Sequence, residues 1–303
     1  MGHDHSHSHA HGLPRGRLAV VLAITVGVLA VEVVGALLAG SLALLADAGH
    51  MATDAIGIAL TLVAVTAARR PPSPSRSFGS RRFEVLSAVV NALLLAGVGA
   101  YVIVEGINRL VHPTAVESGI VAIFGAVGMA GNACSALLLA RDQAHSIGMR
   151  GAFLEVVADG LASAAVLIAA GIIALTGWTR VDPIASLTIA AFILPRTWKL
   201  LREAVEVLLE ATPKHLDPDE IRRHILAVDG VLEVHDLHAW QIVTDQPLLS
   251  AHVVVDSETI ESGAQGQILD QLGDCLSSHF DIGHCTFQVE PVGHREHEGT
   301  HHA

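Results

Sequence analysis

The chain has 303 residues, of which 51% are hydrophobic and 16% charged, and its 30 acids against 18 bases give a net charge of −12. Soluble domains carry roughly 25% charged residues, so an ordinary soluble fold is excluded, and the chain is too apolar to be disordered. The absence of a net basic field excludes a nucleic-acid binder, and three cysteines without a CxxC exclude a disulfide framework.

Residues 1–17 begin MGHDHSHSHAHG, a His-rich tail able to collect divalent ions weakly. It leads into an apolar run too long for a signal-peptide core, so no signal peptide is expected. Six apolar segments follow, at about 18–40, 43–68, 83–108, 118–140, 151–176 and 183–209. Each can cross ~30 Å of hydrocarbon at 1.5 Å per residue. Their continuous Leu, Ala and Val content predicts helices rather than alternating barrel strands. Arg15 and Arg17, the Arg69–Arg82 connector, Arg141 and Arg150, and Lys199 and Arg202 all fall on one side. The opposite loops hold Arg109 and Arg180, so both termini are predicted to be cytoplasmic.

After Ala211 the composition changes. Residues 217–228 predict a helix with Asp217 as N-cap and Pro218 at the first helical position. Residues 231–240 and 248–255 predict strands, 259–280 a second helix and 284–290 a third strand. The expected fold is an all-α six-helix transmembrane bundle (18–211) followed by an αββαβ α+β domain (212–292). A disordered His-rich tail (293–303) ends the chain. The 16 acids and 4 bases after Ala211 account for the whole −12, and 11 of the 19 histidines also lie there.

An ionisable side chain at the centre of a span costs at least ~2.5–3.5 kcal/mol, so each one needs a reason. The second segment holds Asp47, His50 and Asp54, and the fifth holds Glu155 and Asp159. His50 and Asp54 are i,i+4, about 40° apart on a helix, and Glu155 and Asp159 repeat that spacing. Facing each other, the two pairs present one imidazole and three carboxylates, the N/O donor set of a divalent transition metal. Asp47, one turn earlier, is a candidate outer carboxylate. Glu32, Asn91, Glu105 and Asn132 are expected to pack or hydrogen-bond between helices, Asp182 to cap a helix, and Cys134 to fill apolar space. In the C-terminal part His235, His238, His252, His279, His284, Cys285 and Glu290 are candidate ligands. His284 and Cys285, as neighbours on a strand, should face opposite ways.

Several stretches together resemble the cation diffusion facilitator family of divalent-metal transporters, in particular its zinc-transporter branch. They are SLALLADAGHMATD, FGSRRFEVLSAVVNALLL, EGINRLVHP, GNACSALLL, VDPIASLTIAAFIL, EVLLEATP, VHDLHAW and SAHVVV, and they occur in the family's order along nearly the whole chain. Compactness and an Arg/Ala-rich composition suggest a plasma-membrane setting, and the resemblance implies a homodimer of six-helix protomers that exports Zn²⁺ in exchange for protons. It also implies a metallochaperone-like cytosolic domain that binds metal. The transport positions map to His50, Asp54, Glu155 and Asp159, and the cytosolic zinc positions to His235, His252, His284 and Glu290. Zinc-selective members carry His where this chain has Glu155, so a preference for Mn²⁺, Fe²⁺ or Co²⁺ is the alternative. Zn²⁺ is then cargo and regulatory ion, with no separate cofactor. The expected partners are divalent metal ions, protons, the lipid membrane and a second copy of the chain, and no nucleic acid. An intramembrane metalloenzyme is a remote alternative, because no HExxH is present, and a sensor without transport would not need the paired intramembrane groups.

Overall fold

The computed structural model describes residues 15–68, 71, 73–140, 147–243 and 246–294. The His-rich ends and His145 lie outside the described residues. The chain divides into two compact units, one of residues up to Leu62 with Val90–Leu201, the other of Val63–Val89 with the chain from Arg202 onward.

Six long helices come first: α1 (Arg15–Ala39), α2 (Leu42–Ala68), α3 (Arg82–Val111), α4 (Ser118–Ala140), α5 (Ile147–Thr176) and α6 (Val181–Leu208). Among the described residues, five of them are long and apolar enough to cross a membrane, and α2 is the 27-residue helix that carries Asp47, His50 and Asp54. Large apolar side chains such as Leu37, Leu137, Leu175 and Phe192 point outward. The interior is built from small residues: Ala36, Ala39, Ala43 and Ala170 pack with Leu44, Val121, Val166 and Ile189. Small residues let helices approach closely where apolar burial alone gives no drive. Gly131 on α4 meets Val28 of α1, and a Cβ on Gly128 would overlap the Glu32 carboxylate.

Asp182 is a helix cap, as expected. It opens α6 but caps a different helix: its carboxylate accepts from the backbone of Leu42 at 2.7 Å and Ala43 at 3.3 Å, and from Ser41 Oγ at 2.5 Å. Two orphan backbone donors at the start of α2 and the Ser41 hydroxyl are thus satisfied by one buried carboxylate. Cys134 is exposed on α4 and fills no core space. Glu105 pairs with Arg109 on its own helix at 2.7 Å, whereas Asn132 does bridge two helices, donating to Ser163 Oγ at 3.2 Å.

The C-terminal elements are α7 (Pro218–Leu226), β1 (Val231–Gln241), β2 (Pro247–Val255), α8 (Ser257–Ser262), α9 (Gln265–Phe280) and β3 (His284–Pro291). Asp217 caps α7 as expected, accepting from Asp219 N at 3.0 Å. The single helix expected over 259–280 is two, because Gly263 takes φ +73° and ends α8 in the left-handed conformation. The sheet order is β1-β2-β3, with β1–β2 antiparallel and β2–β3 parallel. A parallel neighbour needs a crossover, which α8 and α9 supply. Ile221, Ile225, Ile268, Leu272 and Leu276 cover one face of the sheet, meeting Leu249, Ala251, Val253 and Val255 of β2. The alternate residues of β2, His252 among them, face away from those helices.

Candidate functional site

The first site lies among α2, α3, α5 and α6. Helical spacing puts His50 and Asp54 on one side of α2, and Asp159 of α5 joins them. His50 Nε2 stands 3.5 Å from Asp54 Oδ2 and 3.7 Å from Asp159 Oδ1. These separations are too long for good hydrogen bonds. They match the ~3.4 Å N–O edge of a tetrahedron with metal bonds of about 2.0–2.2 Å. Asp54 Oδ2 and Asp159 Oδ1, the two oxygens that face His50 Nε2, are buried without a hydrogen-bond partner among the described residues. Buried polar atoms are normally satisfied, so this convergence makes the cluster a candidate cation site.

A cavity of about 380 Å³ opens beside this cluster, lined by His50, Asp54, Asn91, Glu155, Arg196 and Thr197 with apolar neighbours. Glu155 is not grouped with the three ligand atoms. Its Oε1 lies 3.6 Å from Arg196 Nη2, and it is 40% exposed where Asp159 is 8%. Asp47 is fully buried and also outside the group; its Oδ2 accepts from Ser163 Oγ at 3.0 Å. Arg196 was not among the sequence candidates. The rule that an intramembrane charge needs a reason applies to it as to the carboxylates, and would have found it.

The second cluster is on the face of the sheet opposite α7 and α9. His235 and His252 are register partners across β1–β2, and Glu290 of β3 reaches both. Glu290 Oε1 is 2.8 Å from His252 Nδ1, and Oε2 is 3.2 Å from His235 Nε2. Gln288 Nε2 also donates to Glu290 Oε1 at 2.9 Å. The ladder is irregular between His235 and His238, where Asp236 takes φ +48°. That bulge turns the Asp236 carboxylate to within 2.8 Å of His238 Nε2 and 3.5 Å of His252 Nε2. Asp236 was missed from the sequence, since a bulge has no signature in residue alternation.

His284 is not brought to this cluster. It is exposed at the start of β3, its ring 6.0 Å from Phe78, and six residues of strand put it about 20 Å from Glu290. Cys285 faces the opposite side, as expected. It packs against the core of the domain, and burial pushes its thiol up to about 11.

Residues 18–209 match the cation efflux transmembrane domain, and residues 213–292 the cytoplasmic domain of cation efflux proteins. The metal cation efflux system protein CzcD of Cupriavidus metallidurans is 40% identical over 96% of this chain and 90% of its own length. The zinc transporter ZitB of Escherichia coli is 38% identical over 90% and 87%. A cadmium, cobalt and zinc/H(+)-K(+) antiporter of Bacillus subtilis is 33% identical over 97% and 93%. A solved metal-bound C-terminal domain of the CzcD transporter is 36% identical, with a TM-score of 0.23, covering 25% of this chain and 99% of that one. With both domains matched in order across nearly its whole length, the chain belongs to the cation efflux, or cation diffusion facilitator, family of multi-pass transporters and is not an enzyme.

Proposed function

We propose that this protein is a proton-coupled antiporter that exports a divalent transition metal, Zn²⁺ foremost, from the cytoplasm. The observation that carries the reading is the His50–Asp54–Asp159 cluster, whose ligand atoms lie within 4.8 Å of one another beside a cavity. Metal binds only deprotonated ligands, so an arriving ion displaces protons from this cluster and returning protons displace the ion. That linkage couples the two fluxes. Glu155 is the fourth ligand, released from Arg196 when cation enters, and Asp47 supports the cluster from outside it.

The names of the related proteins, which include zinc, cadmium and cobalt, are consistent with borderline cations as cargo. A second reading, preference for Mn²⁺, Fe²⁺ or Co²⁺, is favoured by the extra carboxylate oxygen that Glu155 adds to one imidazole and two carboxylates. In this proposal the protein sits in the plasma membrane as a homodimer with both termini cytoplasmic. The His235–His252–Glu290 cluster then holds a regulatory ion, and His284, at the far end of the same strand, takes no part in it.

Zinc flux into proteoliposomes under an imposed pH gradient tests the proposal. Wild type should move zinc inward as protons move outward, and the metal panel Zn²⁺, Cd²⁺, Co²⁺, Fe²⁺ and Mn²⁺ should rank Zn²⁺ first. Zinc movement that ignores the pH gradient would overturn the antiport. A profile led by Mn²⁺ would replace the first reading by the second.

A further inference from the structure

A third cluster of ligand-type side chains lies on the helical layer of the C-terminal domain, away from the sheet face that carries His235, His252 and Glu290. His224 of α7 meets Cys275 and His279 of α9, and one donor atom from each lies within 4.8 Å of the others. Cys275 Sγ is 3.7 Å from His224 Nδ1 and 3.9 Å from His279 Nδ1. A tetrahedral ion with metal–sulfur bonds of about 2.3 Å and metal–nitrogen bonds of about 2.05 Å needs an S–N edge of about 3.6 Å. Both observed edges are within a few tenths of an ångström of that value.

Local structure fixes these positions. Cys275 and His279 are i,i+4 on α9 and share one face of it. Leu272 and Leu276 on the neighbouring face anchor that helix in the core. The Phe280 ring packs edge-on against the His224 ring at 5.0 Å and orients it. His224 and His279 each lie in the last turn of their helix, where unpaired carbonyls favour a cation. Of the two arginines of α7, Arg222 donates to the Val234 carbonyl and Arg223 turns back to the Asp219 carbonyl at 3.3 Å. His279 Nδ1 stands 2.9 Å from the Cys275 carbonyl oxygen, a contact that coordination would replace.

We propose that His224, Cys275 and His279 form a second metal site of the C-terminal domain, a one-sulfur, two-nitrogen site that takes a thiophilic divalent cation such as Zn²⁺ or Cd²⁺. Water completes the tetrahedron on the exposed side of His279. On binding, Cys275 gives its proton to solvent and forms the metal–sulfur bond. The donor set is softer than either other cluster, neither of which contains sulfur.

Cobalt is the probe, because a thiolate–Co²⁺ bond gives a near-ultraviolet charge-transfer band that His and carboxylate ligands do not. The full-length protein in detergent should develop this band on titration with Co²⁺ and lose it when Zn²⁺ is added. Cys275→Ser should abolish the band and lower bound zinc by one ion per chain, while Cys285→Ser and Glu290→Gln keep it. His224→Gln should weaken cobalt binding at this band by at least roughly tenfold, the smallest cost seen even for groups outside the ligand shell. No band at saturating Co²⁺, a band that survives Cys275→Ser, or unchanged affinity in His224→Gln would each overturn the site. The readout stands apart from transport, since the intramembrane cluster contributes no sulfur.

Discussion

The intramembrane cluster and the sheet cluster use similar donors but hold them differently. In the sheet, Glu290 is locked between two imidazoles at 2.8 and 3.2 Å, and Gln288 binds it as well. In the membrane unit, His50 keeps 3.5 and 3.7 Å from its carboxylates, and a cavity adjoins it. In the first arrangement the carboxylate is held by His235 and Gln288 and lies against His252. In the second the carboxylate oxygens Asp54 Oδ2 and Asp159 Oδ1 have no hydrogen-bond partner among the described residues. Under the proposed function, that looser arrangement is the one suited to taking up and releasing an ion.

The largest expected effect tests the membrane half of that contrast. Asp159→Ala should reduce metal-driven proton flux in proteoliposomes to the background of empty vesicles while the protein remains folded and monodisperse. Flux at the wild-type level would show that the open cluster is not the transport site.

Glu290→Ala tests the other half. It removes the acceptor shared by His235, His252 and Gln288, and should cost about 1–3 kcal/mol of C-terminal stability, the usual penalty for stranding buried polar groups. Thermal unfolding of the full-length protein followed by Trp240 fluorescence reads this. An unchanged midpoint would mean that the sheet cluster does not hold itself together.

Glu155→His replaces a hard oxygen by a borderline nitrogen at the edge of the open cluster. It should shift the Zn²⁺/Mn²⁺ transport ratio toward zinc by ~10-fold, equivalent to 1.4 kcal/mol. An unaltered metal profile would leave Glu155 as a partner of Arg196 alone.

The smallest effect concerns the crossover that delivers β3, and with it Glu290, to the sheet. Asp256 caps α8 by accepting from the Thr259 backbone at 2.7 Å, and these hydrogen bonds hold its carboxyl below the usual carboxylate value. A depressed folded-state pKa stabilises the fold above the ordinary Asp range, and that contribution is lost as pH falls through the folded-state value. Asp256→Ala should therefore lower the unfolding midpoint slightly at neutral pH, and the difference from wild type should shrink in strong acid. A difference that grows on acidification would contradict the cap.

Much of this was legible in the sequence because the physics involved is local. Long apolar runs, the Asp217–Pro218 start of α7 and the alternation of β2 each follow from neighbours along the chain. The cost of burying charge singled out His50, Asp54 and Asp159. What stayed hidden depends on groups distant in the chain. Nothing near Glu155 announces its pairing with Arg196, 41 positions away. Asp182 read as a helix cap, but the helix it caps starts 140 residues earlier. Likewise the i,i+4 spacing of Cys275 and His279 was visible, whereas the approach of His224 depends on α7 packing beside α9. Asp236 owes its place to a bulge, and the pattern of side chains does not encode one.

The buried Asp182 carboxylate has a mechanical meaning as well. It ties the first turn of α2 to the first turn of α6 through three hydrogen bonds out of contact with water. Breaking them would strand polar groups in an apolar interior, so the two helix ends stay joined. His50 and Asp54, farther along α2, and Arg196, about 20 Å along α6, are both measured from that one fixed joint. The residues that could hold a cation and the arginine beside Glu155 are, in this sense, hung from a common corner.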